Sequence, residues 1–185
     1  RAELAELFPH ESMQALFDDS LYGLKQISEI VVSLKDFSRL DRAPVDDVDL
    51  NQCIEAALRI GHNVIKHKAE VVREYGELPK VSCAPSQINQ VFLNLLTNAA
   101  QAMDSRGHIR IRTFADERYV HAIVQDNGRG IPPEHLERIY DPFFTTKPVG
   151  QGTGLGLSIV FGIIKEHKGH IQVKSEVGKG TAFCV

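Results

Sequence analysis

One segment of the sequence, Ser86–Met103, contains no charged side chain although its pattern is that of a helix. Apolar residues recur on one helical face: Ile88, Val91, Phe92, Leu95, Leu96, Ala99 and Ala102. Five amides fall within about 80° of one another on another side: Gln87, Gln90, Asn94, Asn98 and Gln101. Solvent-facing helices normally use Lys, Glu and Arg, and an amide oxygen can bind a hard cation without adding negative charge. The pattern therefore predicts a functional face, with an ordinary polar surface as the alternative.

The composition indicates one folded domain with a short appendage. The chain has 185 residues, of which 43% are hydrophobic and 24% charged, and a domain takes about 150 residues. A net charge of -3 gives no electrostatic reason to expect nucleic acid or a membrane as partner. Cys53, Cys83 and Cys184 show no C-x-x-C spacing, so a reducing, cytoplasmic setting is expected rather than a disulfide or zinc framework. No segment reaches the roughly 18 apolar residues of a membrane span.

The N-terminal quarter predicts a long amphipathic helix followed by a linker. Between Ser20 and Asp41 the apolar spacing is 3-4-3, from Leu24 to Leu34. This spacing suits a coiled-coil or bundle partner, and it suits equally a helix packed on its own domain. Residues 42–48 carry Pro44 and charged groups without periodicity. The predicted boundary divides the chain into regions 1–44 and 45–185.

Helices and mostly antiparallel strands are predicted to share the second region. The helices are one capped by Asp49, a second from Pro85 to Met103, a short one over 134–139 and a last one over Leu155–Lys168. The strands are Ala69–Tyr75, Ile109–Phe114, Tyr119–Gln125, His170–Ser175 and Thr181–Val185, with the last four forming two hairpins. This mixture predicts an α+β fold, a two-layer α/β sandwich preceded by the long amphipathic helix.

A carboxylate is predicted to point inward at the end of one strand. Val120, Ala122 and Val124 alternate onto one face, and Asp126 continues it. A buried carboxylate needs hydrogen-bond donors, and an adenine amino group is a suitable one. Gly128 and Gly130 then allow a tight turn against a flat ligand, although Asp-Asn-Gly is also a common hairpin turn.

Four glycines at every second position, Gly150 to Gly156, lead directly into the last helix. Such a loop presents backbone N–H groups to phosphate in front of a helix N-terminus. The spacing does not fit G-x-G-x-x-G, because Leu155 and Leu157 stand where the third glycine is needed. The lysine of a P-loop and the motif set of eukaryotic-type protein kinases are absent too. These three nucleotide-binding folds are excluded.

Four motifs of this sequence resemble, in their order and spacing, those of one family. They are the amide helix (Ser86–Met103), the loop after Asp126, the segment Asp141–Lys147 (Asp-Pro-Phe-Phe-Thr-Thr-Lys) and the glycine ladder, which comprises Gly150, Gly152, Gly154 and Gly156. The chain is similar to the catalytic ATP-binding region of sensor histidine kinases, within the superfamily of gyrase-type topoisomerases and some chaperones. The resemblance covers about 49–185. Ile27–Arg39 also resembles the second helix of that family's dimerisation and phosphotransfer hairpin.

The resemblance implies a site for ATP and Mg²⁺ and assigns residues to its parts. Asn98 would bind Mg²⁺, with Asn94 and Gln101 near the phosphates. The base pocket would be formed by Asp126, Gly128, Gly130, Ile131 and Thr181. Phe143, Phe144 and the chain up to Gly154 would form a lid, in which Lys147 is a candidate phosphate contact or else a surface lysine. The phosphate cradle would comprise Gly152, Thr153, Gly154, Leu155, Gly156 and Leu157.

Position 94 bears on the reaction. Hydrolysing relatives have a glutamate there, whereas Asn94 cannot act as a general base. Water attack is therefore expected to be slow, while a histidine held in line with the γ-phosphate could react, with Asn94 and Lys147 as catalytic candidates.

The phosphate acceptor is not evident in this sequence. The family's His-[Asp/Glu]-x-x-[Asn/Thr]-Pro pattern is absent, and His10-Glu11 lacks the Asn-Pro. We expect the chain, which begins at Arg1 and stops inside a strand, to be a piece whose first hairpin helix lies upstream. A response regulator receiver domain and a homodimer through the hairpin are the implied partners, with a parent protein anchored in the inner membrane left open. Two alternatives remain: a serine kinase of the anti-sigma-factor type and a non-catalytic nucleotide-gated dimerisation module.

Overall fold

The computed structural model describes residues 45–148 and 152–185, together with residues 14, 16, 17, 20, 21, 23 and 24; at 45 and 46 it describes the backbone alone. The seven residues described between positions 14 and 24 are helical, and the Ser20 hydroxyl donates to the Leu16 carbonyl oxygen at 2.7 Å. Most of the helix predicted between Ser20 and Asp41 lies outside the described residues. In the described part of the chain, no helix is long and apolar enough to cross a membrane.

The larger of two compact units comprises Asp41–Phe144 and Gly154–Val185, and Thr145–Thr153 group with Arg1–Leu40. In chain order its elements are β1 (Val45–Val48), α1 (Leu50–Ile65), β2 (Ala69–Tyr75), β3 (Val81–Cys83), α2 (Pro85–Gln101), β4 (Gly107–Ala115), β5 (Val120–Asp126), α3 (Pro133–Leu136), α4 (Gly156–Glu166), β6 (Gln172–Glu176) and β7 (Gly180–Cys184). The α+β fold predicted from the sequence is confirmed.

The main sheet has five strands in the order β2-β4-β5-β7-β6. The two predicted hairpins, β4–β5 and β6–β7, are antiparallel as expected. The edge strand β2 pairs with β4 in parallel, with Ala69 opposite Gly107, so the sheet is mixed. Helix α2 makes this crossover possible, because parallel neighbours need a long connection.

One face of the sheet is buried against the helices and the other is open. Along β4, Ile109 and Ile111 are fully buried while Arg110 and Arg112 are exposed. The buried side joins the apolar stripe of α2, where Phe92 and Leu96 have almost no exposed surface. Burial of each such side chain contributes about 1.5–3 kcal/mol, so the core stripe predicted in α2 supports the fold.

Two local features show how the sequence sets these elements. The Asp49 carboxylate caps α1 by accepting from Asn51 N–H at 3.0 Å and Gln52 N–H at 3.4 Å, as predicted. The prediction of a linker over 42–48 was wrong at its end, because Val45–Val48 pair antiparallel with Val81–Cys83. Both strands are short, and a register shift with Asp47 at φ 64° breaks the alternation that would have revealed them.

Candidate functional site

The amide face of α2 divides into two parts with different partners. Near its N-terminal end, the Gln87 side chain donates to the Glu166 carboxylate at 3.2 Å, on the last turn of α4. Farther along, Asn94 and Asn98 lie beside the first residue of α4. A Cβ added to Gly156 would stand 3.7 Å from Asn94 Oδ1 and 3.8 Å from Asn98 Nδ2. The amide helix and the end of the glycine ladder, predicted to form one site, are therefore in contact.

Asn94 carries an unsatisfied donor. Its side-chain Nδ2 is buried and has no hydrogen-bond partner in the described part of the protein. A buried donor without an acceptor costs about 1–3 kcal/mol, so such atoms are uncommon in folded proteins. The position next to Gly156 indicates that an acceptor from outside the chain would satisfy it.

The start of α4 offers further donors. Leu155 occupies the N-cap position, and among the described residues no side chain caps the helix. The preceding Gly154 has φ 67°, and a Cβ there would collide with the Phe143 carbonyl group, so only glycine suits this position. Gly154 O also accepts from Phe143 N–H at 3.0 Å. This bond joins the two ends of the predicted lid segment.

Asp126 lies inward at the end of β5, as predicted, with 6% of its surface exposed. Its Oδ1 accepts from Gly128 N–H at 2.8 Å. Burial raises the pKa of this carboxyl above its usual range, and backbone N–H bonds from Gly128 and Thr181 oppose that shift without cancelling it. Asp126 is thus a buried acceptor held by backbone donors and suited to one more donor.

The loop after Asp126 is fixed by its own chain on two sides. Arg129 N–H donates to Ala102 O at 3.0 Å, at the end of α2. Gly130 has φ 73°, and a Cβ there would collide with Glu176 O, so this glycine is required by the β6–β7 hairpin. From the sequence, Gly130 is predicted to let the backbone approach a ligand closely. In the structure, the group that Gly130 approaches closely is the backbone of Glu176.

Ile131 and Thr181 lie at the same end of the sheet and are linked through Ser175. Ile131 N–H donates to Ser175 Oγ at 2.7 Å, and Ser175 Oγ lies 2.8 Å from Thr181 Oγ1. Thr181 is 5% exposed. Ser175 was not predicted from the sequence, where its only signal is that it is a small polar residue in a predicted strand.

Most of the predicted lid, Thr145–Thr153, belongs to the smaller of the two compact units. Lys147 N–H donates to Thr145 Oγ1 at 3.2 Å, and Gly152 packs against the side chains of both residues. These residues and Thr153 belong to the smaller unit, so their roles at the phosphates stay predictions. Gly150 lies outside the described residues.

The two phenylalanines that begin the predicted lid differ in burial. Phe143 is 64% exposed and has φ 68°, whereas Phe144 is half-buried with the Arg138 guanidinium 4.6 Å above its ring. Tyr140 packs on Phe161, and its hydroxyl is buried without a partner among the described residues. This second unsatisfied polar atom was not predicted from the sequence.

A cavity of about 570 Å³ opens elsewhere, at the start of β5 and the end of α4. Its lining includes Phe92, His121 and His167, and none of the predicted site residues. This cavity is therefore separate from the candidate site, which is defined by the buried acceptor Asp126 and the unsatisfied donor of Asn94.

Comparison with known sequences identifies the family. The profile of histidine kinase-, DNA gyrase B- and HSP90-like ATPases matches residues 83–185. The chain belongs to this family. It is 36% identical to the sensor kinase CckA of Brucella abortus (strain 2308) over 95% of its own length. It covers 21% of CckA and is therefore much shorter than this curated relative.

Two solved structures extend the likeness to three dimensions. The catalytic domain of histidine kinase ThkA is 33% identical, with a TM-score of 0.67 over 76% of this chain and 92% of that one. Full-length ShkA in complex with AMPPNP has a TM-score of 0.72 over 94% of this chain and 37% of that one. At 23% identity, ShkA supports the fold alone. The chain is thus a member of the ATPase family with the fold of histidine kinase catalytic domains, homologous to sensor histidine kinases.

Proposed function

We propose that this ATPase-family chain binds Mg-ATP and transfers the γ-phosphate to a histidine of a phosphotransfer hairpin. The observation that carries the proposal is the close approach of Gly156, the first residue of α4, to the side-chain amides of Asn94 and Asn98. Phosphate oxygens would satisfy both the N–H groups of α4 and the buried Asn94 Nδ2. Asp126 would accept the adenine amino group at the other end of the nucleotide.

The residues present also fit a magnesium ion. In the described part of the chain, no group of three or more His, Cys, Asp or Glu could hold a metal by itself. Mg²⁺ bound with nucleotides commonly takes one or two protein ligands and completes its shell with phosphates and waters. Asn98 would supply a side-chain oxygen to it. The ion, when bound, neutralises charge that develops on the phosphates.

The side chains at the phosphates favour transfer over hydrolysis. Asn94 has no group that accepts a proton from water, so a bound water is not activated. An imidazole nitrogen needs no such activation, since its neutral form carries a free electron pair. That nitrogen forms a bond to the γ-phosphorus while the bond to the β–γ bridging oxygen breaks, and ADP leaves. Lys147 is proposed to add a second positive charge near the phosphates, besides that of Mg²⁺.

We propose the remaining organisation from the same family membership. Residues 1–44 would form part of a dimerisation and phosphotransfer region, and residues 45–185 the catalytic domain. A response regulator receiver domain would take the phosphate from the histidine, and two chains would pair through the hairpin. This region would work in the cytoplasm.

Transfer to a separate hairpin tests the function. The chain is mixed with Mg-ATP and a second polypeptide that carries a phosphotransfer hairpin with its histidine. Acid-labile, base-stable phosphate on that hairpin is expected, and Asn98→Ala should abolish it. Acid-stable phosphate would indicate a serine kinase instead. Nucleotide binding without transfer to any of several such hairpins would favour a nucleotide-gated dimerisation module.

A further inference from the structure

Ser175 on β6 contacts both parts of the proposed adenine pocket. Its hydroxyl oxygen accepts from Ile131 N–H at 2.7 Å. The same oxygen lies 3.1 Å from Gly180 O and 2.8 Å from Thr181 Oγ1. One side chain therefore joins the loop after Asp126 to the first residues of β7.

The proton of Ser175 has two acceptors within reach. A hydroxyl has one proton and two lone pairs, and Ile131 N–H occupies one of the lone pairs. If Ser175 donates to Gly180 O, the Thr181 hydroxyl must donate to Ser175 and keeps no proton for a ligand. If Ser175 donates to Thr181 Oγ1, the Thr181 proton is available to an outside acceptor. The contact with Thr181 is the shorter of the two, which favours the second arrangement, so Ser175 orients the Thr181 hydroxyl with its proton toward a ligand.

Nearby contacts hold the same loop through the backbone. Gly178 N–H donates to Arg129 O at 2.9 Å, and Gly130 packs against Glu176 O. These contacts survive any side-chain substitution at residue 175. Loss of the Ser175 hydroxyl would therefore release Ile131 and Thr181 while the hairpin and the loop remain joined.

We propose that Ser175 is a positioning residue for adenine recognition, an inference that rests on the proposed function. Adenine presents an amino donor next to a ring nitrogen acceptor. Asp126 is placed for the donor, and a Thr181 hydroxyl polarised by Ser175 is suited to the acceptor. Guanine presents a carbonyl oxygen and a ring N–H in those places, which reverses the pattern. Ser175 therefore contributes to the preference for adenine over guanine.

Binding of three ligands to the 185-residue chain and its variants tests this inference. Calorimetry measures Mg-ATP, Mg-GTP and inorganic triphosphate with the original chain, Ser175→Ala, Ser175→Thr and Ser82→Ala. Ser82 is an exposed serine of β3 and provides the matched control. We expect Ser175→Ala to weaken ATP binding about tenfold, the equivalent of one hydrogen bond. The ATP-to-GTP affinity ratio should fall with it, while triphosphate binding stays unchanged. Ser175→Thr restores the hydroxyl and should restore the ratio.

The outcomes separate this inference from the proposed function. If Ser175→Ala lowers the melting temperature but leaves the ATP-to-GTP ratio intact, Ser175 is merely structural and the inference is overturned. If the original chain binds no nucleotide, both the inference and the proposed function fail. Should Ser175→Ala not fold, Ser175→Cys gives the same comparison, because a thiol is a weak acceptor and donor.

Discussion

Replacing Asp126 by Asn tests the adenine end of the site with the smallest change in shape. The carboxylate has only acceptors, and it already receives the N–H groups of Gly128, at 2.8 Å, and Thr181. An adenine amino group would be the third donor. The side-chain amide of the Asp126→Asn variant would have one oxygen and one NH₂ group. In either orientation its NH₂ group would therefore face one of the three donors that the carboxylate accepts.

The mismatch sets the expected magnitude. Leaving one donor without an acceptor in a buried site costs about 1–3 kcal/mol, which corresponds to roughly 5- to 150-fold weaker ATP binding. Calorimetry with Mg-ATP measures the change. Asp116→Asn is the matched control, because Asp116 also accepts two backbone N–H groups, from Arg118 and Tyr119, and lies in the turn before β5, at the other end of that strand from Asp126. An affinity of Asp126→Asn within twofold of the original would refute the assigned pocket.

The raised pKa of Asp126 adds a dependence on pH. Protonation removes the acceptor for the adenine amino group, so ATP affinity should fall at a higher pH than an ordinary aspartate would give. In the ligand-free protein the sign is opposite. A pKa raised on folding favours the folded state below the unfolded value near 3.8, and that contribution is lost as pH rises through the folded pKa. Titrating ATP affinity from acid to neutral pH, with Asp126→Asn as the reference, checks the first statement, and urea unfolding of the ligand-free protein over the same pH range checks the second.

Three further substitutions test other parts of the structure. His167→Ala removes the acceptor of the buried Ala84 N–H, 3.0 Å away, and should lower the free energy of unfolding in urea by about 1–3 kcal/mol. Gly130→Ala and Gly178→Ala both place alanine at positive φ, but a Cβ collides with a carbonyl oxygen only at 130. Gly178→Ala should therefore cost about 1 kcal/mol and Gly130→Ala clearly more, measured in the same assay. Asn94→Glu supplies a general base and should raise the rate of ATP hydrolysis, measured as ADP formed without any phosphotransfer hairpin, at least about tenfold. An unchanged hydrolysis rate would contradict the role given to position 94.

The sequence predicted the elements whose side chains alternate regularly. The stripe through Phe92 and Leu96 and the inward face ending at Asp126 follow from helical and strand periods, and the structure has both. The parallel pairing of Ala69 with Gly107 could not be read in the same way, because strand order depends on contacts far apart in the chain. The strand Val45–Val48 was missed because its register shifts within four residues.

The candidate site was predictable where chemistry restricts residue type and not where geometry decides. An unpartnered amide such as Asn94 stands out in an uncharged helix, because solvent-facing positions favour charged residues. The sequence could not distinguish Asn94 from Gln87, although the structure uses Gln87 to bind Glu166. Ser175 gave only a weak signal, a small polar residue in a strand, since its role comes from Ile131, Gly180 and Thr181, which the fold brings together.

Helices α2 and α4 lie antiparallel, and this arrangement ties the far end of α2 to the proposed phosphate site. His167 accepts from Ala84 N–H at one end, and Gly156 meets Asn94 and Asn98 at the other. Ala84 and Asn94 are ten residues apart and Gly156 and His167 eleven, which at 1.5 Å per residue is about 15 Å along α2 and about 16 Å along α4. Because the two spans match, the pair has one register, and a shift at His167 would displace Gly156 from the amides. The contact of His167 with Ala84 and the proposed nucleotide contact at Gly156 therefore depend on the same packing.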